Sequence, residues 1–122
     1  MSRTPWTAPL DDAETAHWDG VAADVALTLD RDALARDRAN EQPDAELKLL
    51  KESGLANLLI PLRYGGGGGH WSSALRAVRI LARADASIAQ ILSYHYCNHA
   101  SIVFFGAPDR WEHWFTASAT GN

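Results

Sequence analysis

Apolar side chains recur along this chain at steps of three and four, the spacing of one face of an α-helix. Trp18, Val21, Ala22, Val25 and Leu29 form the first stripe, and Asp11 and Asp12 before it suit a helix start. The pattern predicts a helix to about Arg38, with Asp and Arg interleaved on its outer face. The stretch 40–43 interrupts it, because Pro43 disfavours helix in the residue it follows. A second helix opens at Pro43 or Asp44 and carries Leu47, Leu49 and Leu50. It ends at Gly54, which suits the positive φ just past a helix C-terminus.

The apolar run from Leu55 to Ile60 is stopped by Pro61 and reads as a buried, extended segment. Residues 65–69 are five consecutive glycines, which hold neither helix nor strand. Ser72 or Ser73 is the expected N-cap of the next helix, with Leu75, Val78, Leu81 and Ala82 on its apolar side. The pattern pauses at 85–87 and restarts in the longest helix. Its stripe is Ile88, Ile91, Leu92, His95, Asn98, His99 and Ile102, and Val103, Phe104 and Phe105 widen the apolar surface. This helix is expected to be buried on most sides. Gly106 ends it, and Pro108 suits the first turn of a last helix holding Trp111, Trp114 and Phe115 to about Ser118.

The fold expected is all-α: an antiparallel bundle of about five helices over residues 11–122. Residues 1–10, with Pro5 and Pro9, read as a flexible arm in which Trp6 is the residue suited to docking. The chain has 122 residues, 47% of them hydrophobic and 21% charged, enough apolar material for one globular core. Its net charge of −4 argues against a nucleic-acid or anionic-membrane surface. One cysteine, Cys97, excludes an internal disulfide or a multi-cysteine zinc site. No apolar run is long enough for a membrane span, and the first residues lack the apolar core of a secretory signal, so a cytoplasmic location is expected.

Three features invite a chemical reading. Glycines before a helix can cradle phosphate, but a Walker loop needs Lys-Ser/Thr where this chain has His70-Trp71, and a dinucleotide fingerprint needs a preceding strand. A tight turn packed against another part of the chain is the plainer reading. His95 and His99 share metal-ligand spacing, yet no third ligand joins them at a recognisable position, so no metal is expected. The cluster Tyr94-His95-Tyr96-Cys97-Asn98-His99 places strong hydrogen-bonding groups inside an apolar helix. Either they satisfy one another or they face a pocket.

Several segments, in order, resemble the N-terminal helical domain of the acyl-CoA dehydrogenase superfamily. They are Leu49 to Leu55, Ile60-Pro61-Leu62-Arg63-Tyr64-Gly65-Gly66, the Ala82 to Ser87 step, and Phe105-Gly106 with the helix after it. Tyr94-His95-Tyr96-Cys97-Asn98 is more similar to the Tyr-His-x-x-Asn segment of the flavin-dependent monooxygenases that oxidise dibenzothiophene and related sulfur compounds. That resemblance implies reduced FMN or FAD from a separate flavin reductase, oxygen, a small apolar or organosulfur substrate, and a homo-oligomer, a tetramer in this family. It implies that His95 faces the flavin as a hydrogen-bond donor, with Tyr94, Asn98 and His99 as pocket neighbours.

It also implies a β-domain after this one, so Asn122 reads as a cut, most flavin contacts would lie outside the chain, and the chain alone would hold no flavin. Two other readings are an acyl-CoA dehydrogenase using FAD and a catalytically silent helical interaction module.

Overall fold

The computed structural model describes residues 5, 6, 9–40 and 42–121. Among these it contains six α-helices and no strand: α1 (Asp12–Asp30), α2 (Ala33–Ala39), α3 (Asp44–Glu52), α4 (Trp71–Ala84), α5 (Ala86–Phe105) and α6 (Trp111–Ala119). The expected arm falls largely outside the described residues, as does Asn122. Trp6 lies within them and is anchored. Its indole Nε1 donates to the Leu59 carbonyl at 2.8 Å, and its ring meets Trp71 edge-on at 5.5 Å.

Asp11 caps α1 as expected, its carboxylate accepting from the Glu14 amide at 2.6 Å. The helix stops at Asp30, short of the predicted Arg38. Its buried stripe of Trp18, Ala22, Val25 and Leu29 ends there, and α2 buries nothing. Arg36 on α2 instead turns inward and gathers charge. It pairs with Asp32, with Glu46 of α3 at 3.3 Å and with Asp85 at 2.6 Å, and donates to the Leu29 carbonyl. Asp85 in turn caps α5 through the Ile88 amide at 3.1 Å. One guanidinium thus ties the end of α1 to α3 and to the α4–α5 corner.

α1 packs most extensively on α4. The core face of α4 is Ala74, Ala77 and Leu81, and the expected Leu75 and Ala82 lie exposed. Ala22 on α1 and Ala74 and Ala77 on α4 are fully buried, so small residues join Leu29 and Leu81 in the core between these helices. Neither Ser72 nor Ser73 caps α4. The helix begins at Trp71, and Glu14 of α1 serves its first turn by accepting from the His70 amide at 3.1 Å and the Ser73 hydroxyl at 2.6 Å. A cap supplied 56 residues upstream leaves no local trace in the sequence.

The run after Gly54 is buried, as expected, but is not extended. Leu55–Asn57 forms a 3-10 turn, and Leu58, Leu59 and Ile60 follow in further turns, all fully buried. A continuous apolar run reads the same for strand and buried turn. The glycine run closes against it. Amides of Gly66, Gly67, Gly68 and Gly69 donate to the carbonyls of Pro61, Asn57, Ile60 and Leu58 at 2.7–3.2 Å. A Cβ on Gly66 would stand 2.2 Å from the Ile60 carbonyl oxygen, and one on Gly67 2.6 Å from the Trp18 ring. Side chains are excluded there by contact.

Gly66→Ala is therefore expected to lower stability by about 1–3 kcal/mol through overpacking. Gly20→Ala, at an open position inside α1 where an added Cβ meets nothing within 4 Å, should raise it by about 0.5–1 kcal/mol. Thermal unfolding of the two variants beside the native chain checks both signs.

Candidate functional site

From Ala86 to Phe105 the helix α5 carries no Asp, Glu, Lys or Arg. Its polar groups are neutral, so each one buried needs a hydrogen-bond partner rather than a counter-charge. Two find theirs in the 3-10 turn at 55–57. The buried Tyr96 hydroxyl donates to the Leu55 carbonyl at 2.8 Å, and His95 Nε2 lies 2.8 Å from the Ala56 carbonyl. A carbonyl only accepts, so Nε2 carries the proton and donates. Nδ1 of His95 has no partner among the described residues and is not buried.

His99, one turn on, is only 2% exposed and faces α6. Its Nε2 lies 2.8 Å from the Ser118 hydroxyl, and its ring meets Phe115 at 6.0 Å and His95 edge-on at 4.3 Å. Its Nδ1 is buried without a partner, which costs on the order of 1–3 kcal/mol. Asn57 completes this seam by donating to the Ala119 carbonyl at 3.3 Å.

The four residues singled out by sequence separate into two groups. His95 and His99 are in ring contact. Tyr94 and Asn98 lie one helical turn apart on the adjoining side, which no described residue covers. Tyr94 is 64% exposed, and Ile91, Cys97, Ser101, Phe104 and Phe105 share that exposure. α5 is thus open along one face, against the expectation of burial on most sides. His99 sits behind His95 and does not line the open face. The Ala56 carbonyl and Ser118, which hold the two rings, escape sequence reading: one is backbone and the other a lone serine on a distant helix.

Burial holds both imidazoles below their ordinary pKa. Desolvation is the main cause for His95, reinforced by the nearby Lys51 charge and opposed by the hydrogen bond to Ala56. Desolvation pushes His99 down to about 3, and the neighbouring His95 adds to it. Both are neutral at pH 7.

The other sequence candidates are spent or isolated. The amides of the glycine run from Gly66 onward are all used on the 57–61 carbonyls, so they offer no phosphate cradle. No group of three or more His, Cys, Asp or Glu that could hold a metal occurs among the described residues. Cys97 is exposed, and His113 stacks edge-on with Trp114 away from the imidazole pair.

Residues 12–122 match the family model described as acyl-CoA dehydrogenase, N-terminal domain. Among curated proteins, the chain is 36% identical over 99 residues to the "Probable FMNH2-dependent monooxygenase SfnC" of Pseudomonas putida, covering 81% of this chain and 25% of that protein. It is 40% identical over 90 residues to dibenzothiophene monooxygenase of Rhodococcus erythropolis, covering 74% of this chain and 22% of that protein. Among solved structures it resembles FMN-bound TdsC of Paenibacillus sp. A11-2, with a TM-score of 0.80 and 32% identity over 84% of this chain and 26% of that one. The chain spans about a quarter of the length of each of these relatives.

The buried imidazoles predict a pH dependence. A base whose folded pKa lies below its unfolded value of 6.5 gives stability that is complete above that pH. For His99 this stability is lost as the pH falls from 6.5 toward about 3. Denaturant unfolding should therefore show a chain less stable at pH 5 than at pH 7, with a slope of roughly 1 kcal/mol per pH unit. In His99→Phe the slope between those two pH values should flatten.

Proposed function

The chain belongs to the acyl-CoA dehydrogenase family as its N-terminal domain, and from that premise we propose that it forms one wall of the active site of a reduced-flavin-dependent monooxygenase. The substrate class proposed is small, apolar and sulfur-containing, as the name of the Rhodococcus relative suggests. The flavin proposed is FMN, in line with the FMN-bound Paenibacillus structure and the FMNH2-dependent relative, and a separate reductase would supply it.

The observation that carries this reading is the placement of His95 on a helix free of charged side chains, beside a face that no described residue covers. That face offers neutral hydrogen-bonding groups, Tyr94 and Asn98, flanked by the apolar Ile91, Phe104 and Phe105. Such a donor set suits a flat, largely apolar heterocycle with a polar edge better than it suits a metal or a phosphate. When bound, reduced flavin supplies the activation of dioxygen.

The chain's own residues have three tasks. The apolar side chains and the missing charge keep water away from the reacting atoms. Tyr94 and Asn98 orient the flavin or the substrate by hydrogen bonds. His95, held neutral and tethered to Ala56, keeps one ring nitrogen at a fixed point beside that face.

The test is His95→Ala in the enzyme that contains this domain, supplied with FMN, a flavin reductase, oxygen and dibenzothiophene. The ratio of oxygenated product to released hydrogen peroxide should fall roughly tenfold, as expected for one lost hydrogen bond of about 1.4 kcal/mol. An unchanged ratio removes His95 from the role. Transfer of electrons from an acyl-CoA thioester to the flavin, without a reductase, would replace the monooxygenase reading with a dehydrogenase.

A further inference from the structure

A leucine or phenylalanine at position 99 could fill the space between α5 and α6 without leaving a buried ring nitrogen unpaired. The chain has an imidazole there, tied to Ser118 and braced edge-on against His95 at 4.3 Å. That arrangement acts on His95. Among the described residues the His95 ring has one hydrogen-bond tether, Nε2 to the Ala56 carbonyl, and a single tether leaves a ring free to pivot about it. The His99 ring closes off one direction of that movement. His99 in turn is held from α6, because Nε2 reaches the Ser118 hydroxyl and Phe115 packs against the ring.

We propose that His99 is a positioning residue for His95: through Ser118 it braces the His95 ring so that Nε2–H stays on the Ala56 carbonyl and Nδ1 is presented as a hydrogen-bond acceptor. The polarity follows from the chemistry of the tether. A neutral imidazole has one N–H, and Ala56 takes it. His95 therefore meets its ligand as an acceptor, where resemblance alone implied a donor. The matching group on the ligand is an N–H or an O–H. Only this last step, which identifies the ligand as flavin or substrate, rests on the monooxygenase reading; the bracing and the tautomer are properties of the chain by itself.

The experiment uses the 15N-labelled chain without flavin and reads the ring nitrogens of His95 in long-range 1H–15N correlation spectra at neutral pH. The expected result is one tautomer, with Nε2 protonated and Nδ1 bare. In His99→Leu the two nitrogens should shift toward each other, to the averaged positions of exchanging tautomers, and His99→Phe should restore the native pattern by returning a ring to the same place. Ser118→Ala, which releases His99 without touching the core ring itself, should produce the shift in smaller measure and serves alone if His99→Leu does not fold.

Two results would overturn the proposal. One is an Nδ1–H tautomer of His95 in the native chain. The other is an unaltered His95 pattern in folded His99→Leu, or in Ser118→Ala where that variant stands alone. Because no flavin is present, failure here leaves the product-to-peroxide test of His95→Ala untouched, and failure there leaves this measurement untouched.

Discussion

The orientation of α5 hangs on two consecutive carbonyl groups. Leu55 and Ala56 lie in a 3-10 turn; the Leu55 carbonyl already accepts the Leu58 amide at 3.2 Å and takes the Tyr96 hydroxyl as a second donor, while the Ala56 carbonyl takes His95. The bonds from Tyr96 and His95 set the rotation of α5 about its own axis. With Tyr96 and His95 turned to the 55–57 turn, His99 must face α6, and Tyr94 and Asn98 must face away. The turn is itself held from two further sides, by the Asn57 side chain on the end of α6 and by the Gly67 amide on the Asn57 carbonyl. A small irregular segment thereby governs which chemistry the longest helix shows to the outside.

Much of this was legible in the residues. The stripe of Trp18, Ala22, Val25 and Leu29, the Asp11 cap and the stops at Gly54 and Gly106 all follow from periodicity and local backbone chemistry, and the structure has each of them. What escaped were features made by residues far apart in sequence. Arg36 draws on partners in α3 and at the α4–α5 corner, in a stretch where local pattern would simply continue α1. Glu14 caps a helix that starts 57 residues later, which left Ser72 and Ser73 as the nearest but wrong candidates. On α4 the expected Leu81 and Val78 do face the core, but Ala74 and Ala77 take the places expected for Leu75 and Ala82, because alanines carry too little hydrophobic signal to mark a buried face. At the site, residue types pointed to a polar patch on α5, but only the packing separates the imidazole pair inside from the Tyr94–Asn98 face outside.

The division of α5 into a satisfied inner edge and an uncovered outer face suits the proposed role as one wall of an active site. A complete small-molecule site would enclose its polar groups in a cavity. Here the hydrogen bonds that hold the rings are already made, while the groups able to meet a ligand stand ready on one side only. The absence of any full charge along twenty residues means that covering this face would strand no buried ion.

The glycine run has the appearance of low-complexity sequence, the kind in which a residue more or less passes unnoticed. Its contacts give it the opposite character. Four successive amides each have a particular carbonyl to meet, and at Gly66, Gly67 and Gly69 the walls stand too close for any side chain. A single glycine inserted or deleted would shift the amides by one place, so the carbonyls of Asn57, Leu58, Ile60 and Pro61 would meet the wrong partners while the run stayed all glycine. The length of the run is thus information of the same order as the identity of a core residue.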